Sequence, residues 1–326
     1  MMFLKIKQLF ILSTLCVSTI VLGYHDYFEE DFEDYAGKDI YNCNATDNDS
    51  SAETEGIQPY KPPHDGIPLY FWREPRLLNF GDHLSHKVLE RILNTPVRLY
   101  KSFSPYKEKK ILAVGSILSF AATNDVIWGT GLNGKLMSKK DYAFTKLDVR
   151  AVRGPLTRRF LMEQFQIYCP EIYGDPVLLM PYLFPEFKRA KKPKYDYIIV
   201  PHYKELKYFP KDIFENVVYP TEPWYEVVLK ILDSKFVIAS SLHGLIVAEA
   251  YGIPARMLRI TECEYMTKYV DYYYGTNRPN FQYATSIEDA LLMGGEIPFK
   301  CDLQKLYDSF PWEFWPYAKI HKTKLY

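Results

Sequence analysis

The stretch KFVIASSLHGLIVAEAYGIPARML, residues 235–258, holds the side chains best suited to chemistry. Phe236–Ala239 is an apolar, β-leaning run, followed by Ser240, Ser241, Leu242, His243 and Gly244. Leu245–Tyr251 then reads as a short buried helix stopped by Gly252 and Pro254, and Ala255–Ile260 as a new strand. A strand, a tight turn carrying Ser, His and Gly, and a helix form an anion-binding corner, because the free N–H groups at a helix start attract a phosphate or carboxylate. His243 stands where it could donate to that anion or move a proton at neutral pH. The alternative is a capping or partly buried histidine with no chemical task.

Other segments carry the same mixture of glycine and polar residues. Asn79-Phe80-Gly81-Asp82 puts a glycine turn and a carboxylate at a helix start, where a plain capping role is the alternative. Gly115-Ser116 and Gly129-Thr130-Gly131 let a backbone approach a ligand closely, or simply let elements pack. Arg150, Arg153, Arg158 and Arg159 cluster around a strand–helix junction, and Arg153 directly precedes Gly154-Pro155. A guanidinium there can grip a carboxylate or phosphate with two parallel hydrogen bonds; Arg159 fits a solvated face better. Arg73 and Arg76 are weaker candidates, and Glu249 is an orienting group or a salt-bridge partner. Neither glycine segment is read as a dinucleotide fingerprint, and a P-loop GKS or GKT and the hydrolase pattern GxSxG are absent.

The elements that must position these residues alternate between strand and helix. Strands are expected at Leu69–Trp72, Val97–Tyr100, Ile111–Val114, Val126–Trp128 and Leu147–Val152, with helices at about Asp82–Leu93 and from Pro155 to about Phe165. The basic segment Phe184–Lys194, with Pro185 and Pro193, reads as a linker. Beyond it come a strand at Tyr195–Val200, a helix at Trp224–Leu232, the corner around His243, helices at Glu264–Tyr272, Ile287–Leu292 and Leu303–Phe310, and an aromatic tail. Such alternation implies α/β architecture with two parallel sheets, each covered on both faces, and a cleft between them. The candidate residues sit at strand ends, which lie along one edge of a parallel sheet.

Six segments, LYFWREPRLLNFGDHLS, ILAVGSIL, VIWGTGLNG, VRAVRGPLTRRFL, YGDPVLLMP and SSLHGLIVAEAYGIP, resemble in content and order the polysaccharide pyruvyl transferase family, over about residues 69–260. The likeness looks closest to bacterial exopolysaccharide ketal-pyruvate transferases. It implies two Rossmann-like domains facing a cleft, as in GT-B glycosyltransferases. It also implies phosphoenolpyruvate as donor, a sugar or polysaccharide hydroxyl pair as acceptor, a pyruvate ketal as product, and no metal or organic cofactor. The family's functional His maps onto His243 and its VRGP arginine onto Arg153. Many members carry an Arg two residues before the His, where this chain has Ser241. Either this subgroup lacks that contact or another residue supplies it. The chemistry assigns His243 as general acid, Asp82 as base towards the acceptor, and Arg153 as a donor grip. Asn79, Gly81, Gly115, Ser116, Gly129, Gly131, Ser240, Ser241 and Gly244 complete the expected binding surface. A nucleotide-sugar glycosyltransferase and a non-catalytic glycan-binding relative are the competing functions.

The N-terminus stands apart from this region. Lys5 and Lys7 precede an uncharged run from Leu9 to Gly23, which reads as a signal peptide or signal anchor over residues 1–23, with residues 8–23 available for membrane attachment. The expected location is the secretory pathway or a membrane anchor, with a cytoplasm-facing association as the alternative. Residues 24–66 read as an acidic disordered stalk; positions 24–65 hold 12 acidic and 2 basic side chains. The expected domains are 67–190 and 191–326. The whole chain is formally neutral, but without residues 1–65 it carries 36 basic and 28 acidic side chains, which suits an anionic substrate. Beyond the basic linker at 184–194 no basic run and no nucleic-acid motif is present. Cys16, Cys43, Cys169, Cys263 and Cys301 share no metal-ligand spacing.

Overall fold

A computed structural model of the chain describes residues 66–73, 79–101, 108–316 and 318. The expected leader and stalk lie outside these residues, as does Cys43. Two four-stranded parallel sheets define an α/β fold. The first pairs β1 (Leu69–Tyr70), β2 (Ile111–Leu112), β3 (Val126–Trp128) and β4 (Asp148–Ala151) in sequential order. The second pairs β5 (Ile198–Val200), β6 (Val237–Ala239), β7 (Ala255–Leu258) and β8 (Tyr283–Ala284) in the same way. Every pair is parallel, as buried strands read from continuous Val/Ile/Leu runs should be.

Side-chain alternation along the strands explains how the sheets are joined. Ile111, Val126, Trp128 and Ala151 of the first sheet, and Ile198, Val200, Val237, Ala239, Ala255 and Met257 of the second, belong to one shared apolar core. Their neighbours Leu112, Ile127 and Val149 face a separate outer core, and Ile199, Ile238 and Leu258 another. A period of two therefore sends one face of each sheet inward and the other outward. The described residues form one compact unit on this central core.

The helices that fill the space start and stop for local reasons. Helix α1 (Phe80–Leu93) is capped by the Asn79 side chain, which accepts from the Gly81 N–H, and closes at Asn94 in the left-handed region. Its Leu84, Val88, Leu89 and Ile92 are buried. Helix α2 (Pro155–Phe165) opens on Pro155, whose missing N–H costs nothing at that position. The short α3 (Met180–Leu183), α4 (Trp224–Leu232) and α5 (Leu242–Ala250) follow, then α6 (Thr267–Gly275), α7 (Ile287–Met293) and α8 (Leu303–Asp308). Although α8 follows the second sheet, it packs on the first: the buried Trp128 indole donates to Leu306 O at 3.0 Å, and its ring meets Phe310 edge to face at 4.9 Å.

Some elements differ from expectation. Val97–Tyr100 pairs with the sheet only through an isolated bridge from Leu99 to Leu69. Strand β8 carries no alternating pattern that would have announced it. Helix α5 starts at Leu242 rather than Leu245, because Ser241 caps it by accepting from the Gly244 N–H at 3.3 Å. His243 therefore lies in the first helical turn and not in the turn before it. Cys169, Cys263 and Cys301 are free thiols, and no helix among the described residues is long and apolar enough to cross a membrane.

Candidate active site

The C-terminal ends of strands from both sheets meet around a cleft of about 280 Å³. Its first-sheet wall carries Trp72 beyond β1, Ser116 and Phe120 beyond β2, Asn133 and Lys135 beyond β3, and Asn79 and Asp82 at the start of α1. The second-sheet wall carries His202, Tyr203 and Lys204 beyond β5, Ser241 and His243 beyond β6, and Glu264 and Lys268 beyond β7. Of the residues expected from sequence, His243, Asp82, Asn79, Ser116 and Ser241 thus share one cavity.

His243 is held from two sides. A Cβ on Gly81 would lie 2.1 Å from its Nδ1, so only glycine at the first turn of α1 lets α5 bring the imidazole this close. On the other side, Nε2 is 3.7 Å from Asp175 Oδ2. Both atoms are buried without a hydrogen-bond partner, and Asp175 itself is 0 % exposed. The second Asp175 oxygen accepts from the Val177 N–H at 3.0 Å, which fixes the carboxylate at the start of the Pro176–Leu179 turn. Two buried polar atoms left open face to face are costly and therefore informative. Asp175 is a member of the site that sequence reasoning did not single out; an Asp before Pro looks like an ordinary turn cap.

Gly115, at φ +108°, lets the chain turn beside the cleft, and a Cβ there would sit 3.5 Å from Asp82 Oδ1. The remaining expected residues lie behind the walls. Gly129 is needed because a Cβ would come within 2.3 Å of the Pro176 ring. A Cβ on Gly244 would come within 2.9 Å of Val200, so that glycine serves helix–sheet packing. Ser240 turns away from the cavity, donating to the Glu205 carboxylate and accepting from the His202 N–H at 2.8 Å.

Arg153 is placed in the interior, 0 % exposed. Its Nε donates to Asp271 Oδ2 at 3.2 Å, one terminal nitrogen to Leu132 O at 2.6 Å and the other to Ser116 Oγ at 2.6 Å. Asp271, on α6, also accepts from the Thr157 N–H and hydroxyl at the start of α2. Glycines make this crossing tight: a Cβ on Gly131 would meet the guanidinium at 2.6 Å, and one on Gly275 would meet Arg153 O at 2.2 Å. Arg153 therefore ties a loop of the first sheet to a helix of the second. It reaches the cleft through Ser116.

A cationic wall faces the cavity instead. Glu264 Oε2 pairs with Lys268 at 2.8 Å, while Oε1 lies 3.1 Å from Lys204, 3.7 Å from Lys135 and 3.8 Å from His202. Burial works against charge on Glu264, but the surrounding ammonium groups, Lys268 foremost, overcome it and hold the carboxyl down at about 2. Burial also pushes Lys268 below the usual lysine range. His202 is driven down to about 3, chiefly by burial and then by Lys268. It is neutral at pH 7, and its Nδ1 accepts from the Lys204 N–H at 3.4 Å. Three lysines against one glutamate leave this wall with a net positive charge of about two. None of its members is conspicuous in sequence, since they come from three separate segments of the chain. Among the described residues no cluster of metal-ligating side chains occurs.

The fold and the site define a parallel-sheet α/β protein whose two strand-end edges share a His-, Asp- and Lys-bearing cleft. Residues 69–261 match the polysaccharide pyruvyl transferase family, and the chain belongs to that family. Two curated relatives are similar. An uncharacterized protein of Acanthamoeba polyphaga mimivirus is 29% identical over 229 residues, covering 66% of this chain and 77% of that protein. The succinoglycan biosynthesis protein ExoV of Rhizobium meliloti is 30% identical over 196 residues, covering 57% of each. A crystal structure of a functionally uncharacterized Klebsiella pneumoniae protein aligns with a TM-score of 0.42 at 12% identity, over 68% of this chain and 94% of that one.

Proposed function

We propose that this chain transfers the pyruvyl group of phosphoenolpyruvate to two hydroxyls of a glycan, forming a pyruvate ketal and releasing phosphate. The observation that carries this reading is the division of the cleft: His243 and Asp82 line the same cavity as the Lys135, Lys204 and Lys268 wall. A donor bearing both a carboxylate and a phosphate needs such a wall, and the lysines supply the anion contact that Ser241 cannot. The start of α5 adds free backbone N–H groups. His243 protonates the donor methylene carbon, which makes C2 electrophilic. One acceptor hydroxyl adds to C2 and gives its proton to Asp82; the bond from C2 to the phosphate oxygen then breaks, the phosphate leaving with the proton from Asp82, and the second hydroxyl closes the ketal by giving its proton back to His243. Arg153 acts at one remove, by fixing Ser116. The similarity to a Rhizobium succinoglycan biosynthesis protein supports a polysaccharide acceptor.

The test is phosphate release from phosphoenolpyruvate in the presence of glycosides, with mass spectrometry of the sugar product. His243→Ala should lower kcat by about 10²- to 10⁴-fold, the range a general acid contributes. His243→Gln should be nearly as slow, since an amide hydrogen-bonds but does not deliver a proton. Full turnover in His243→Gln excludes the proton-donor role. Release of nucleoside diphosphate from a sugar nucleotide, with phosphoenolpyruvate untouched, replaces the reading with glycosyl transfer.

A further inference from the structure

The cleft carries aromatic as well as cationic side chains. Trp72 and Phe120, on the first-sheet wall, remain 39% and 40% exposed. Their rings lie 5.1 Å apart, tilted by 38°. Single exposed aromatics are commonplace, but two in contact at the lip of a cavity form a continuous apolar surface. The surface is braced from behind. Phe120 stacks on Tyr70 at 5.3 Å and 27°, and Tyr70 meets Tyr100 edge-on at 6.2 Å. A braced ring loses little freedom when a ligand settles on it. The same wall carries the hydrogen-bonding groups Asn79, Asn133, Ser116 and Asp82, with Lys135 at its β3 end.

A flat apolar patch bordered by hydrogen-bonding side chains matches a pyranose ring, which has an apolar C–H face and hydroxyls around its edge. We propose that Trp72 and Phe120 form the acceptor platform, on which one pyranose of the glycan stacks with its reacting hydroxyls turned towards Asp82 and His243. The inference rests on the transferase reading, since that reading makes Asp82 and His243 the reacting end of the cleft. A nucleobase could also stack on two aromatic rings, and the experiment separates that occupant.

The full chain is observed by saturation-transfer NMR with methyl β-galactopyranoside, methyl β-glucopyranoside and methyl α-mannopyranoside. Uridine and guanosine diphosphate are added as competitors. At least one glycoside should receive saturation, strongest on the protons of one ring face. Trp72→Ala should weaken that glycoside about tenfold and Phe120→Ala by a smaller factor, while Trp72→Phe retains most of the binding. Thermal unfolding of each variant checks that the fold is intact, as expected for exposed side chains. Binding unchanged in both alanine variants overturns the platform, as does the absence of binding by all three glycosides. Displacement of the glycoside by either nucleotide overturns it too. Kinetics keep the two readings apart. Loss of glycoside binding in Trp72→Ala by a protein that never consumes phosphoenolpyruvate leaves the platform standing and removes pyruvyl transfer. Normal acceptor KM in Trp72→Ala of a protein that does consume it removes the platform alone.

Discussion

His243 Nε2 and Asp175 Oδ2 face each other at 3.7 Å, each buried and each without a hydrogen bond. They come from different sheets' loops: Asp175 follows the first sheet and His243 opens the helix after β6. The pair is a little too long for a hydrogen bond, and a small rotation of the imidazole would close it. With Nε2 turned to Asp175, Nδ1 over Gly81 is the nitrogen that the proposed proton transfer would use.

Asp175→Asn therefore tests orientation without removing volume. The amide can offer its N–H where the carboxylate only accepted, so the ring loses its preferred tautomer. The expected kcat loss is about 10- to 100-fold, less than the 10²- to 10⁴-fold a general acid itself supplies. The pH profile of kcat should move with it. A variant that merely melts earlier, with unchanged kcat and profile per folded molecule, assigns Asp175 to the fold alone.

Arg153 offers a contrast, because its partners predict a stability effect first. Arg153→Met leaves Asp271 as a buried charge whose hydrogen bonds come only from Thr157, which should cost about 3–5 kcal/mol. Arg153→Lys keeps the charge but cannot hold Asp271, Leu132 O and Ser116 together, so it should also be destabilised. Arg159, an exposed residue on α2, is the control: Arg159→Met should stay within about 0.5 kcal/mol. Urea unfolding measures all three. Arg153→Met with the stability of the parent protein would show that the buried pair is not a strut.

The fold was legible wherever local pattern and burial agree. Val126–Trp128 and Trp224–Leu232 fall where their apolar spacing puts them, because each meets a core on the face that the pattern predicts. His243 and Asp82 stood out as candidates because each lies at a glycine-bearing helix start, and both line the cleft. The cationic wall was not legible. Lys135, Lys204 and Lys268 each read as ordinary surface side chains, and only the convergence of three strand ends makes them a group around Glu264. Arg153 misled in the opposite sense: an arginine before Gly-Pro has the look of an anion grip, yet Asp271, far along the chain, claims its guanidinium.

His202 provides the last test, a pH dependence whose sign follows from its burial. Its pKa falls from the ordinary 6.5 to about 3, chiefly through burial and then through Lys268, with Lys204 and Lys135 adding to it and Glu264 opposing. Below pH 6.5 the unfolded chain takes up a proton that the folded chain refuses until about pH 3. Folded stability should therefore decline as pH falls through that interval, with a contribution from this residue of about 1.4 kcal/mol per pH unit. Glu264 acts lower: depressed to about 2, it stabilises the fold above its usual value of 4.5, and that support is lost as pH falls from there towards 2. His83 and His86 are also held below their ordinary value, so they contribute to the same upper window and must be subtracted. Comparing the parent with His202→Gln does this, since both retain His83 and His86. Urea unfolding at intervals between pH 7 and pH 5 should show a flatter decline in His202→Gln, by about one proton. Parallel curves for the two proteins would mean that His202 titrates alike in folded and unfolded chains, and would remove the buried neutral imidazole from the account of the cationic wall.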